Sequence, residues 1–180
     1  MNRFFVSPET LATAPVRLQG AVAHQIARVL RLPVGAEITL LDNSGAAYLA
    51  RLVAVSPHEA TAHVLTRMIP DVEPHVKLTL YQAVPRARKI EWVLQKGTEL
   101  GISAFVPVIS ARCQGLTPAD LDDEKLERWR RIVVEAAEQS GRVILPTVGR
   151  ALALADAIAA ALQADLALLA AVDERACTLR

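Results

Sequence analysis

The stretch Arg86-Ala-Arg-Lys-Ile-Glu-Trp-Val-Leu-Gln-Lys-Gly-Thr-Glu-Leu-Gly-Ile-Ser-Ala-Phe-Val-Pro-Val-Ile-Ser-Ala-Arg112 decides the fold of this 180-residue chain. Three bases in four residues open it. A segment of helical period follows, with apolar or small residues at Ile90, Val93, Leu94, Gly97 and Leu100. Gly101 stands where a helix commonly ends, and Phe105 to Ile109 is typical of a buried strand. The stretch therefore predicts a basic loop and a helix next to a strand, inside a β-loop-α-β unit.

The same alternation continues on both sides of this stretch. The sequence predicts strands at 77–84, 104–109 and 166–172, and helices at 90–100, from Thr117-Pro118 to about Ser140, and at 152–162. Strands that alternate with helices imply a parallel sheet covered by helices on both faces. The second half of the chain is therefore predicted to be an α/β domain.

The first seventy residues follow a different pattern. Short strands are predicted at 3–6, 15–18, 36–41, 48–55 and 61–68, with one helix at 20–30 and a hairpin turn at Asp42 to Gly45. This pattern predicts a small, mostly β barrel at residues 1–70. Residues 69–75 hold two prolines and two acids, which places a linker at 71–76 and the α/β domain at 77–180.

Composition restricts the kinds of partner. Apolar residues make up 52% of the chain, which excludes a disordered protein, and the net charge of +1 excludes a globally basic nucleic-acid binder. Residues 75–150 carry twelve bases and nine acids, so any RNA contact must be local. Two distant cysteines fit no metal spacing and indicate a reduced cytosolic protein. The N-terminus does not look like a signal peptide, and polar residues interrupt the apolar stretch 151–172, which argues against a membrane span.

Two clusters of basic residues are candidates for phosphate contacts. His24, Arg28 and Arg31 follow i, i+4, i+7 spacing, which predicts one helical face opposite Val22, Ile26, Val29 and Leu30. Arg86, Arg88 and Lys89 lie between a strand's carboxyl end and a helix N-terminus, where anions bind in α/β proteins. A solvated helix face and a solvated loop are the alternatives from the residues alone.

Other polar and aromatic residues are interpreted as structural. Glu135, Gln139 and Arg142 lie on one side of the long helix and just past it, a spacing usually used for structural contacts. Trp92 and Trp129 could stack on bases, but tryptophans beside helical apolar residues are more often buried. No nucleophile triad, P-loop, dinucleotide fingerprint or metal cluster is present in the sequence.

The order and spacing of several segments resemble the RsmE family, small-subunit ribosomal RNA uridine-N3 methyltransferases of the SPOUT, or trefoil-knot, class. The matching residues are Arg3-Phe4-Phe5-Val6, His24 to Arg31, Glu91-Trp92, Gln95-Lys96, Glu99-Leu100-Gly101, Pro107, Arg112-Cys113, Glu127-Arg128-Trp129, Glu135 to Arg142 and Pro146. The family's Gly-Pro-Glu-Gly-Gly loop and Leu-Arg-x-Glu-Thr-Ala segment are expected to follow Arg180, so the chain is interpreted as a truncated copy. Arg86 stands where the family usually has lysine, which keeps the charge and changes the geometry.

The resemblance implies a fold and an activity. The fold is α/β plus β: a PUA-like RNA-binding β-barrel followed by a partial SPOUT α/β-knot methyltransferase domain. The implied activity is S-adenosylmethionine-dependent methylation of N3 of a uridine in 16S ribosomal RNA, by a cytoplasmic homodimer acting on the small ribosomal subunit. The alternative is a non-catalytic RNA-binding remnant of such an enzyme.

The resemblance also implies roles for single residues. It favours RNA binding by Arg3, His24, Arg28 and Arg31, beside the loop Arg86, Arg88 and Lys89. It places Asp173 and Glu174 beside the cofactor pocket. No residue is assigned as the catalytic base, and no metal is expected.

Overall fold

The first half of the chain folds into one curled mixed sheet. The structure, a computed structural model, describes residues 1–85, 89–113 and 115–170. Its first five strands are β1 (Asn2–Phe5), β2 (Val16–Gln19), β3 (Glu37–Leu41), β4 (Ala47–Val55) and β5 (Glu59–Met68). They lie in the order β1-β3-β4-β5-β2, with β1 and β3 parallel and the other pairs antiparallel. This curled sheet is a half-barrel, in agreement with the mostly β pattern of the sequence and with the PUA-like domain that the resemblance implies.

Local chemistry sets the turn between β3 and β4. Asn43 and Gly45 adopt φ angles of 63° and 92°, which only asparagine, aspartate and glycine adopt readily. The Asp42 carboxylate accepts a hydrogen bond from the Ser44 amide at 3.0 Å and closes the turn. The hairpin directs alternate side chains inward, and the barrel core consists of Phe4, Val16, Leu18, Ile26, Ile38, Leu40, Ala50, Leu52, Ala60 and Ala62.

The helical part of the barrel differs from the prediction. A short helix α1 (Pro8–Leu11) precedes β2, and α2 (Gly20–His24) continues as a π turn at Gln25–Val29. The Leu30 amide donates to the Gln25 carbonyl five residues earlier, at 2.8 Å. A π turn is wider than an α turn, so the expected 3.6-residue apolar face is broken. Val29 and Leu30 are 64% and 38% exposed instead of buried, and the prediction for both is wrong.

The second half forms a parallel sheet with helices. Its elements are β6 (Thr79–Ala83), α3 (Lys89–Glu99), β7 (Ala104–Ile109), α4 (Asp123–Ser140), β8 (Thr147–Val148), β9 (Leu152–Ala153) and α5 (Leu154–Ala161). Strand β7 pairs in parallel with β6, β8 and β9. The core between α3, α4 and the sheet is built from Ile90, Leu94, Ile102, Phe105, Leu121, Leu126, Trp129, Val133 and Val148. The predicted parallel α/β domain is confirmed.

Three elements of this domain differ from the sequence prediction. Residues 152–153, predicted as the start of a helix, form β9, and α5 begins at Leu154. The helix expected from Thr117 is split: Thr117 caps a 3-10 turn at Pro118–Asp120, and Asp122 then caps α4. The strand predicted at 166–172 is wrong over residues 166–170, which form no strand, and residues 171–172 lie outside the described residues. A continuous apolar run has no period of its own, so it does not distinguish a strand from other buried or exposed segments.

The two domains contact each other at the carboxyl end of α4. Leu41 and Ala47 of the barrel pack with Val143, and the half-buried Phe5 covers this small cluster. The Phe5 amide donates to Glu138 Oε1 at 3.0 Å. On the other side, the Leu145 amide donates to Asn43 Oδ1 at 2.6 Å. We call this contact, made by Phe5, Asn43, Glu138, Val143 and Leu145, the domain junction.

A buried ion pair attaches the connecting segment to the α/β domain. Arg142 is 6% exposed, and its guanidinium donates to Glu73 Oε2 at 2.7 Å and to the Ile102 carbonyl at 2.5 Å. Glu73 Oε1 accepts from the amides of Val143 and Ile144 at 2.9 and 3.1 Å. The segment between the two sheets is therefore fixed by the residues that follow α4.

Candidate RNA interface and sheet-edge crevice

A crevice lies where β6 and β7 end. Its volume is about 470 Å³, and it is lined by Ala83, Val84, Pro85, Ser110, Arg112, Cys113 and Leu116. The carboxyl edge of a parallel sheet is the usual place for ligands in α/β proteins, because the loops that follow the strands converge there. The volume falls within the range of small-molecule sites, roughly 300–1,000 Å³. The crevice is therefore the candidate ligand site of the α/β domain.

Cys113 ties the two strand ends together at the back of this crevice. The buried thiol lies 3.4 Å from the Val84 carbonyl, to which it donates, and the Ser110 amide donates to Sγ at 3.4 Å. The Ser110 hydroxyl and amide are the main causes that lower the pKa of the Cys113 thiol, and burial opposes them. These contacts hold the loop after β7 against the end of β6, which indicates a structural role for the thiol.

The basic loop before α3 directly follows Pro85, which lines the crevice. Lys89 is exposed as the first residue of α3, and Arg86 and Arg88 lie outside the described residues. Arg112 is exposed and lines the crevice, although it is not among the site residues that the sequence predicts. The signal was present, because the Arg112-Cys113 pair directly follows the strand predicted at 104–109. What the sequence did not show is that the loop holding this pair packs against the end of β6.

The barrel exposes the basic residues predicted to bind RNA. His24, Arg28 and Arg31 are all exposed. The π turn lies between His24 and Arg31, and Arg31 has a φ of 50° beyond the helix. The three side chains are therefore not arranged on one regular helical face, although they remain near each other in sequence and open to solvent. Their binding to RNA stays a prediction.

Arg3 lies in a different place from the other predicted RNA-binding residues. It borders a crevice of about 240 Å³ between the domains, together with Glu99, Ser140 and Arg142. Its Nη1 is buried, and no hydrogen-bond partner for it is found among the described residues. The guanidinium lies against Gly141, at the carboxyl end of α4, where the helix dipole favours a cation. RNA binding by Arg3 stays a prediction, and its position favours an interdomain contact.

The residues interpreted as structural, the two tryptophans and Arg142, agree with the prediction except for Trp92. Trp129 is 3% exposed, as expected, whereas Trp92 is 64% exposed, so the expectation of burial is wrong for it. Trp92 lies on the side of α3 that faces away from Ile90 and Leu94, which are buried. Arg142 is structural, as interpreted, through its pair with Glu73.

The remaining predictions concern the cofactor, metals and membranes. Asp173 and Glu174, the predicted cofactor contacts, lie outside the described residues. Within residues 1–85, 89–113 and 115–170, no group of three or more His, Cys, Asp or Glu side chains is arranged to hold a metal ion. In the same ranges, no helix is long and apolar enough to cross a membrane.

Comparisons with known proteins match both domains. A family model described as an RNA methyltransferase domain matches residues 72–178, and one described as an RNA methyltransferase PUA domain matches residues 18–65. Ribosomal RNA small subunit methyltransferase E of Synechocystis sp. is 39% identical over 146 residues, which cover 81% of this chain and 46% of the relative. The Bacillus subtilis protein of the same name is 34% identical over 155 residues, 82% of this chain and 59% of the relative.

A solved structure shares the arrangement of the chain. The crystal structure of a ribosomal RNA small subunit methyltransferase E from Neisseria gonorrhoeae, bound to S-adenosyl methionine, aligns with a TM-score of 0.78 and 34% identity. The alignment covers 88% of this chain and 64% of that one. The chain spans about half the length of the curated relatives named above.

Proposed function

This chain belongs to the RNA methyltransferase family that includes the ribosomal RNA small subunit methyltransferase E proteins, and we propose that it serves S-adenosylmethionine-dependent methylation of N3 of a uridine in 16S ribosomal RNA. The observation that carries the proposal is the joining of a PUA-like barrel, exposing His24, Arg28 and Arg31, to a parallel sheet with a ligand-sized crevice at its carboxyl edge. The barrel is suited to hold RNA, and the crevice is suited to place a reactive base and a methyl donor together.

The residues that line the crevice fit part of such a cofactor. Val84, Pro85 and Leu116 supply apolar surface for a flat base, and the Ser110 hydroxyl supplies a polar contact beside it. When bound, S-adenosylmethionine supplies an electrophilic methyl group on a sulfonium sulfur. Asp173 and Glu174 are proposed to add acidic groups that suit this positive charge.

The cations near the carboxyl edge of the sheet suit the second requirement of the reaction, which is loss of the N3 proton of uracil. N3 of uracil carries a weakly acidic proton and becomes a nucleophile when that proton is lost. Arg112 at the crevice and Lys89 at the start of α3 are exposed cations, and a cation near N3 favours its deprotonated form. We assign them to hold RNA phosphate and to favour ionisation of the base; the group that accepts the proton is not assigned.

The proposed assembly is a cytoplasmic homodimer that acts on the small ribosomal subunit. Helix α5 supports a protein contact, because its Leu154 and Ile158 and the following C-cap residue Leu162 are spaced four residues apart and are 47%, 48% and 68% exposed. Light scattering on the purified protein measures the mass, and a monomer at micromolar concentration would contradict the dimer.

The activity is tested directly with isotope-labelled cofactor. The purified protein is incubated with methyl-labelled S-adenosylmethionine and small ribosomal subunits, and the digested RNA is analysed for N3-methyluridine by mass spectrometry. Arg112→Ala is expected to lower the rate, and Arg131→Ala, an exposed arginine on α4, serves as the matched control. RNA binding without methyl transfer would favour the alternative, a non-catalytic RNA-binding protein.

A further inference from the structure

Helix α4 connects the two parts of the proposed enzyme. It has 18 residues, so it is about 27 Å long at 1.5 Å per residue. Its first turns contribute Leu126 to the core that Val84 packs against. Val84 also lines the sheet-edge crevice. The opposite end of α4 contributes Glu138 to the domain junction, so one helix runs from the core that Val84 packs against to the barrel.

The carboxyl end of α4 is specialised for contact with the barrel. Glu138 accepts the Phe5 amide at 3.0 Å. Burial, partly offset by this hydrogen bond, raises the pKa of Glu138, and the neighbouring Glu135 carboxylate adds to the rise. Burying a carboxylate costs desolvation free energy, so Glu138 contributes little to stability. Its hydrogen bond instead determines that the Phe5 amide of the barrel contacts α4.

Two further contacts fix the same orientation. Gly141 has a φ of 85°, and a Cβ there would lie 2.2 Å from Arg3 Nη1, so glycine lets Arg3 reach the helix end. Asn43, in the β3–β4 turn, accepts the Leu145 amide at 2.6 Å. Two barrel segments distant in sequence, β1 and the β3–β4 turn, are therefore held by one continuous segment, residues 138–145.

We propose that α4 sets the distance and orientation between the RNA-holding barrel and the crevice, with Glu138 and Asn43 as positioning residues. This inference rests on the proposed function. RNA held by the barrel presents its base productively only if the barrel keeps a fixed relation to the crevice, because a misplacement of about 1 Å can cost roughly 100-fold in rate. Loss of the domain junction is therefore expected to lower the rate of methyl transfer while RNA and S-adenosylmethionine still bind.

The test compares two double variants of the whole chain. E138A/N43G removes both side-chain acceptors, and glycine keeps the left-handed backbone that residue 43 requires. E138Q/N43D keeps an acceptor oxygen at each position. Gln139→Ala, an exposed neighbour on α4, is the matched control. Circular dichroism confirms folding, and N43G alone replaces the double variant if that variant does not fold.

Two readouts decide the outcome. The first is the distance distribution between spin labels at H58C on the barrel and Q95C on α3, both exposed positions, in a C177S background that leaves only the buried Cys113. The second is methyl-transfer kinetics with small-subunit RNA, with kcat and KM separated. E138A/N43G is expected to widen the distribution and to lower kcat about 100-fold, with unchanged affinities for RNA and S-adenosylmethionine. E138Q/N43D and Gln139→Ala are expected to behave like the parent.

Several results would overturn the inference. An unchanged distance distribution in E138A/N43G would show that these side chains do not hold the junction. A wider distribution with parental kcat would show that the fixed relation is not needed, and an equal loss in E138Q/N43D would assign the effect to charge. If the parent transfers no methyl group, the proposed function fails, while the distance measurement still decides whether Glu138 and Asn43 fix the barrel.

Discussion

Replacing Arg142 by alanine measures how much the most buried charged side chain among the described residues contributes to the free energy of unfolding. The guanidinium joins three parts of the chain: Glu73 in the connecting segment, the Thr98 and Ile102 carbonyls at the end of α3, and the loop after α4. Removing it leaves the Glu73 carboxylate without its cation and takes the donor at 2.5 Å away from the Ile102 carbonyl, whereas the Thr98 carbonyl still accepts from the Gly101 amide at 3.1 Å. The side chains of Arg142 and Glu73 are only 7% and 19% exposed, so water replaces the lost contacts poorly.

The expected loss is large for a single substitution. Breaking a buried ion pair by removing one partner typically costs about 3–5 kcal/mol, because the remaining charge stays buried. In a chain of this size each kcal/mol shifts Tm by about 2–4 °C, so the melting temperature is expected to fall by about 6–20 °C. Arg131→Ala, an exposed arginine on the same helix, is expected to change the free energy of unfolding by less than about 0.5 kcal/mol.

The assay is calorimetric or circular-dichroism melting of Arg142→Ala, Glu73→Ala and the double variant. The double variant is expected to lose less than the sum of the single losses, since each single change leaves one buried partner uncompensated. Burial alone would raise the pKa of Glu73, but Arg142 and the Val143 and Ile144 amides outweigh it and hold the pKa below the ordinary value of a glutamate. The pair's contribution is therefore present at neutral pH and lost as the pH falls through this lowered pKa. A loss under 1 kcal/mol at pH 7, or strictly additive losses, would refute the reasoning.

The remaining predictions concern other elements. Glu138→Gln is expected to leave Tm unchanged or raise it at pH 7, because the raised pKa of Glu138 makes its ionised form unfavourable there, and the gain should vanish below pH 4; a loss at pH 7 would contradict this. Arg28→Ala with Arg31→Ala is expected to flatten the slope of log RNA affinity against log salt by about 1.4–1.8, and a parental slope in filter binding would place the RNA contact elsewhere. Gly97→Ala is expected to destabilise the fold by about 1–3 kcal/mol despite better helix propensity, since its Cβ would lie 2.6 Å from Phe105; an unchanged melting curve would contradict the clash.

Patterns within the chain predict the regular elements well. The strand predicted at 104–109 agrees with the structure at both ends. A short run of apolar, β-branched and aromatic residues between turn residues favours a buried strand over a helix. The hairpin turn at Asp42 to Gly45 and the end of α3 before Gly101 follow from the φ angles that asparagine and glycine tolerate. The family resemblance gave the two domain types, and the comparisons confirm it.

What the sequence by itself determined is thus the local elements, their order and the family; the tertiary structure decided which side chains meet. Trp92 is exposed because the burial of a helix residue depends on which elements pack beside it. Val29 is exposed because a π turn changes the direction of its side chain, and the spacing of apolar residues does not predict a π turn. The Glu73–Arg142 pair joins residues 69 positions apart, and the Phe5–Glu138 bond joins residues 133 apart. Periodicity describes contacts within a few residues, whereas these contacts exist only after the barrel and the sheet have packed on α4.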